Sequence, residues 1–266
     1  MARSSSTGLR SAGGHFARRR FGQHFLVDRH YIERIVAALD PRPADNLVEI
    51  GPGLGALTAP LLERVQRLTV IEIDRDLAAR LTDEYPPDRL TLYNADALEF
   101  DFASLGRDLR VVGNLPYNIS SPLLFHLAQY EATLFDLTLM LQREVVERMA
   151  AAPATPAYGR LSVMLQVRFR VERLFTVPPG AFRPAPKVES AVVRLTPLQE
   201  ARPTLADEAL FARIVAAAFG QRRKTLRNAL KTLADEADLE RVGIAPGARG
   251  ETLSVADFVR LANALA

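Results

Sequence analysis

Asn46-Leu-Val-Glu-Ile-Gly-Pro-Gly-Leu-Gly55 decides the fold. Its first five residues form an apolar run of strand length, and three glycines follow before a helical pattern at 58–65. Glycines at a strand-to-helix turn let the backbone bend sharply and let a ligand approach without Cβ interference. Gly51-x-Gly53-x-x-Ala56 satisfies the dinucleotide fingerprint, and Glu72 stands 21 residues after Gly51, at the end of the next apolar run. A carboxylate there would accept both hydroxyls of a ribose. This half of the chain indicates an adenosine-containing cofactor. It does not separate NAD from S-adenosylmethionine.

Outward from that loop, apolar runs alternate with helical patterns. The runs fall at 46–50, 68–73, 90–93, 109–112 and 134–141; the helical patterns fall at 31–39, 58–65, 76–84, 121–130 and from 144. Such alternation predicts βαβ units, an α/β fold with a mostly parallel sheet and helices on both faces. After Ala152 prolines punctuate the chain. Residues 188–195 read as a strand. Residues 168–177 read either as its antiparallel partner or as the start of a helix. Beyond Pro203 only helical patterns remain, at 210–233 and 255–265. The expected division is a tail at 1–17, a catalytic domain at 18–197 and a small all-helical domain at 198–266.

Composition narrows the classes. The chain has 266 residues, 48% of them hydrophobic, enough to build a core. It has no Cys, which removes disulfides, thiolate metal sites and Cys nucleophiles together. None of the four His has ligand-like spacing with another, so no metal is expected. The Ser/Gly/Arg-rich start has no apolar segment of a secretory signal, and no run reaches the ~20 apolar residues of a membrane helix. A cytoplasmic protein is the expectation. The net charge of +3 conceals a pattern: residues 1–34 carry +5, 35–159 carry −8, 160–194 carry +5 and 195–266 carry +1. Arg18-Arg-Arg20 and the Arg222, Arg223, Lys224, Arg227 cluster are the basic runs, with Arg223, Arg227 and Lys231 spaced by four along one side of an expected helix.

Two further features choose among cofactors. Asp96 follows the third strand, where a carboxylate can accept from an exocyclic adenine amine. Asn114-Leu115-Pro116-Tyr117 follows the fourth. The Asn oxygen and the loop carbonyls are acceptors, Pro116 fixes the loop shape, and Tyr117 offers a flat face to a base. Acceptors on both hydrogens of an –NH2 aim its lone pair at an electrophilic methyl. A hydride-transfer enzyme leaves this loop unexplained, and pure RNA binding does not need Glu72, Asp96, Asn114 and Tyr117 together.

Glu49-x-Gly-Pro-Gly-x-Gly-x-Leu-Thr58, Glu72-x-Asp74, Asp96-Ala97 and Asn114-Leu-Pro-Tyr-Asn-Ile-Ser120 resemble the rRNA adenine N6-dimethyltransferases. Arg20-Phe-Gly-Gln-His-Phe-Leu26, Phe182-Arg-Pro-Ala-Pro-Lys-Val-Glu-Ser-Ala-Val-Val193 and Phe219-Gly-Gln-Arg-Arg-Lys-Thr-Leu-Arg-Asn228 resemble the bacterial small-subunit branch, against a large-subunit rRNA, DNA or protein target. The resemblance implies a Rossmann-like class I S-adenosylmethionine-dependent methyltransferase with a helical C-terminal RNA-binding domain. It implies cofactor contacts from His24, Leu26, Gly51, Gly53, Glu72, Asp96 and Asn114. His24 departs from the Asn usual in the family. The methyl acceptor would be held by Asn114, Leu115 and Pro116 and stacked on Tyr117. RNA would meet Arg183, Lys187, Arg222, Arg223, Lys224 and Arg227. The implied product is N6,N6-dimethyladenosine at two adjacent adenosines in the 3′-terminal hairpin of 16S rRNA, made by a monomer acting on the small ribosomal subunit or its precursor.

Overall fold

The computed structural model describes residues 24–221 and 223–266. The expected tail at 1–17, the Arg18-Arg-Arg20 run and Arg222 lie outside the described residues.

The chain runs β1 (Phe25–Leu26), α1 (Arg29–Leu39), β2 (Asn46–Ile50), α2 (Thr58–Leu62), β3 (Leu68–Ile71), α3 (Arg75–Glu84), β4 (Leu90–Tyr93), β5 (Leu109–Asn114), α4 (Ser120–Ala128) and β6 (Leu134–Gln142). There follow α5 (Arg143–Met149), α6 (Arg160–Gln166), β7 (Phe169–Val177), β8 (Phe182–Arg183) and β9 (Ser190–Pro197). The last helices are α7 (Glu208–Gly220), α8 (Leu226–Ala229), α9 (Glu236–Arg241) and α10 (Val255–Leu265). Seven strands form one sheet in the order β4-β3-β2-β5-β6-β9-β7. The pairs β3–β4, β2–β3, β2–β5 and β5–β6 are parallel, and β9 returns antiparallel to β6. Of the two readings of residues 168–177, the strand is the one formed.

The strands are apolar on both faces because helices cover both. Leu47, Val48, Leu68, Val70, Val111 and Leu139 are all but inaccessible. Each such side chain contributes about 1.5–3 kcal/mol on burial. At the amino ends of β5 and β6 one charged cluster is buried with them. Arg110 grips Asp136 through two bonds, at 3.0 and 2.7 Å, reaches Asp45 at 2.7 Å, and donates to the carbonyls of Leu39 and Asp40. Burial opposes its charge, but the bonds to Asp136 and Asp45 outweigh that and raise its pKa. Every N–H of the guanidinium that is taken out of water thus finds an acceptor.

The chain divides into two compact units. Among the described residues, the first joins those up to Arg143 with Arg173–Thr196, and the second joins Glu144–Glu172 with those from Pro197 to Ala266. Residues 144–172, expected in the catalytic domain, therefore group with the C-terminal helices. The reason is a shared apolar cluster: Tyr158, Val163 and Val167 pack with Phe211, Ile214 and Phe258. Residues 210–233 do not form the one helix expected. The helix ends at Gly220, and a separate short helix starts at Leu226. Gly is a poor helix interior residue. Beyond the break, Leu226 N–H donates to Ala248 at 2.8 Å, and Leu226 and Leu230 are fully buried. These tertiary contacts outweigh continued helix. Arg223 precedes α8, Arg227 lies in it and Lys231 follows it, so the three do not share a helix face.

Candidate active site

Parallel α/β sheets place ligand sites at the carboxyl ends of their strands. One cleft in the first unit opens there. Its lining includes His24 and Leu26; Gly51 and Gly53 after β2; Glu72 and Ile73 after β3; Asp96 after β4; and Asn114–Ile119 at the end of β5. All the residues expected to contact cofactor or target amine are among them. The expected RNA contacts among the described residues do not line it. Arg183 is exposed, donating to the Gly180 and Phe182 carbonyls, and Lys187 is exposed on the loop before β9. Arg223, Lys224 and Arg227 belong to the second unit, where Arg227 meets Glu236 at 3.5 Å.

The glycine loop adopts the conformations its composition allows. Gly51 and Gly53 have φ of 65° and 59°, and a Cβ at Gly53 would meet the Phe25 ring at 3.1 Å. Glu72 is buried, and its two oxygens accept Gly53 N–H at 3.2 Å and Asp74 N–H at 2.8 Å. Burial raises its pKa, the backbone donors pull it back, and the Asp74 charge raises it further. The carboxylate keeps acceptor capacity for a diol hydroxyl. Asn94 bonds the Glu72 carbonyl at 2.7 Å, which ties the loop carrying Asp96 to Glu72. One Asp96 oxygen accepts Leu98 N–H at 2.9 Å.

Asn114 ends β5, and its amide nitrogen donates to the His24 carbonyl at 2.9 Å. With the nitrogen held there, Oδ1 is the side-chain acceptor. The Pro116 carbonyl accepts Ile119 N–H and Ser120 Oγ–H. The loop is brought close to β2 by Gly113, where a Cβ would lie 2.7 Å from the Ile50 carbonyl. The His24 ring lines the cleft and has two neighbours there. Nδ1 lies 2.8 Å from the Pro184 carbonyl, which can only accept, so Nδ1 carries the proton; the ring stacks on Tyr117 at 5.6 Å. The Tyr117 hydroxyl pairs with Ser190 Oγ at 2.7 Å.

Sequence reasoning gave no role to three of these groups. Glu49 is buried beside Glu72; burial pushes its carboxyl up to about 8, a Thr58 bond at 2.7 Å opposes this, and the Glu72 charge adds to it. Ile73, 44% exposed beside Glu72, offers an apolar face to a flat ring. An apolar residue directly after the strand-end acid was its only sequence signal. Ser190 had only its place inside the 182–193 motif.

The family described as ribosomal RNA adenine dimethylase matches residues 14–266. The chain is similar to a ribosomal RNA small subunit methyltransferase A of Aromatoleum aromaticum, 63% identical over 252 residues and 95% of both chains. It is 59% identical to the protein of that name in Thiobacillus denitrificans, over 95% of this chain and 99% of the relative. Among solved structures, a dimethyladenosine transferase from Plasmodium falciparum superposes with TM-score 0.78 at 26% identity, over 90% of this chain and 96% of that one. The 23S rRNA methyltransferase ErmE superposes with TM-score 0.69 at 29% identity, over 91% and 99%.

Proposed function

The chain belongs to the ribosomal RNA adenine dimethylase family, and on that premise we propose how its cleft works. The protein is an S-adenosylmethionine-dependent methyltransferase that forms N6,N6-dimethyladenosine at two adjacent adenosines in the 3′-terminal hairpin of 16S rRNA. Relatives named for the small subunit, at 59–63% identity, support that subunit or its precursor as substrate and the cytoplasm as the place of work. A single chain carries every group of the cleft, which supports a monomer.

The residues present fit the cofactor. Gly51 borders open space, Glu72 keeps acceptor capacity for a ribose diol, Asp96 has an oxygen left for an adenine amine, and Ile73 lies against the same cleft. The cofactor supplies an electrophilic methyl group. His24 would hold Asn114 through its carbonyl.

Asn114 Oδ1 and the Leu115 carbonyl would accept the two hydrogens of the target N6 amine. Held so, the nitrogen lone pair is less delocalised into the ring and points at the methyl. The rate gain is positioning plus placed dipoles. No strong base is needed before attack, because the methylated amine is acidic and loses its proton afterwards. The target adenine must leave its stack, and Tyr117 receives it. Arg183, Lys187, Arg222, Arg223, Lys224 and Arg227 would contact phosphates.

The Asn114–His24 bond carries this reading, since it holds the amide nitrogen at the His24 carbonyl and leaves Oδ1 as the acceptor to offer. Incubation with labelled S-adenosylmethionine and undermethylated small subunits, followed by mapping of the modified nucleotides, tests it. Label in two adjacent 3′-terminal adenosines is expected; its absence there refutes the assignment.

A further inference from the structure

Stacking a base requires only an aromatic ring, and Phe would serve. Tyr117 instead places a hydroxyl in a half-buried setting, where desolvation makes an unpaired polar group costly. That hydroxyl has one hydrogen-bond partner among the described residues, Ser190 Oγ at 2.7 Å, seventy-three positions away. Ser190 has the complementary anomaly. It is fully buried at the start of β9, ahead of Ala191, Val192 and Val193, where Ala would fill the space without burying a hydroxyl. The sheet does not require the side chain, since the backbone sets the pairing of Ser190 with Gln142.

Ring position is then fixed at both ends. The Cα end is held in the Asn114–Tyr117 loop, with Leu115 N–H bonded to the Met140 carbonyl at 3.1 Å. The hydroxyl end is held by Ser190. One ring face is covered by His24, at 5.6 Å and 29° between planes. We propose that Ser190 is a positioning residue for methyl transfer: its hydroxyl tethers Tyr117 so that the face His24 leaves free stands ready for the target adenine. The inference rests on the reading that Tyr117 stacks that base. An untethered ring would sample other rotamers, and the cost of ordering it would fall on each base-flipping event.

Ser190 does not line the cofactor cleft, so its loss separates the two binding steps. The test compares Ser190→Ala, Tyr117→Phe, the double variant and Tyr117→Ala in the full chain. Readouts are kcat/KM on undermethylated small subunits and the S-adenosylmethionine Kd by calorimetry. Ser190→Ala and Tyr117→Phe should each lower kcat/KM about three- to tenfold, the scale of one hydrogen bond, with the cofactor Kd unchanged within about twofold. The double variant should be no worse than either single one, because both remove the same bond. Losses that multiply in the double variant, or a Ser190→Ala enzyme with wild-type kcat/KM, overturn the proposal. If Ser190→Ala fails to fold, Tyr117→Phe decides alone: wild-type kcat/KM overturns the tether. Tyr117→Ala tests the underlying reading separately. Wild-type turnover there refutes base stacking, whereas a large loss alongside a silent Ser190→Ala refutes only the tether.

Discussion

The side-chain amide of Asn114 donates to the backbone carbonyl of His24 at 2.9 Å, across ninety positions of sequence. This bond fixes which end of the amide faces the cleft. Asn114→Ala removes the acceptor. It should lower methyl transfer by about 10²–10³-fold, the scale seen when one placed transition-state dipole is lost. Filter binding to the small subunit should change little. Wild-type turnover would refute the role.

Glu49 predicts a pH dependence. Its carboxyl titrates near 8 in the folded protein against 4.5 ordinarily. The folded state therefore holds a proton that the unfolded chain has released between those values. Stability from this group is full below pH 4.5 and is lost as pH rises through 8, by up to about 1.4 kcal/mol per pH unit. Glu49→Gln keeps the neutral form and should flatten that slope. Urea unfolding at pH 6 and pH 8.5 measures it; equal slopes in both proteins would count against the raised value.

Arg110 predicts a purely structural effect. Arg110→Leu leaves the buried Asp136 and the half-buried Asp45 without their cation. Loss of one member of such a cluster costs about 3–5 kcal/mol. Denaturant midpoints should fall accordingly. Turnover per folded molecule should hold, because the cluster sits at the opposite end of the strands from the cleft.

Gly113→Ala should disturb both properties. The new Cβ would meet the Ile50 carbonyl at 2.7 Å and Leu115 Cδ2 at 3.0 Å, so β5 must shift from β2. A cost of about 1–3 kcal/mol is expected, with weaker cofactor binding and slower transfer, since Asn114 is the next residue. An enzyme with unchanged stability and Kd would show that the strands yield freely.

Salt separates the two ligands. Binding to the small subunit should weaken steeply between 50 and 200 mM salt, because phosphate contacts release counterions. Cofactor binding in a partly buried cleft should change much less. Parallel titrations of both check this.

The amino-acid sequence alone determined the strand–helix alternation, the glycine loop and the acids and amides that follow successive strands. These are local signals: hydrophobic period, glycine freedom and residue chemistry all act within a few positions. It also displayed two separate motifs, one ending at Leu26 and one starting at Phe182. Only the tertiary structure showed that they pair, Leu26 with Phe182 and Phe25 with Arg183, bringing His24 to Asn114 and Tyr117. It likewise joined Ser190 to Tyr117, split the helix at Gly220 and moved residues 144–172 to the second unit. Each of these depends on contacts between residues far apart in the chain. Sheet order and core packing set such contacts, and no local pattern encodes them.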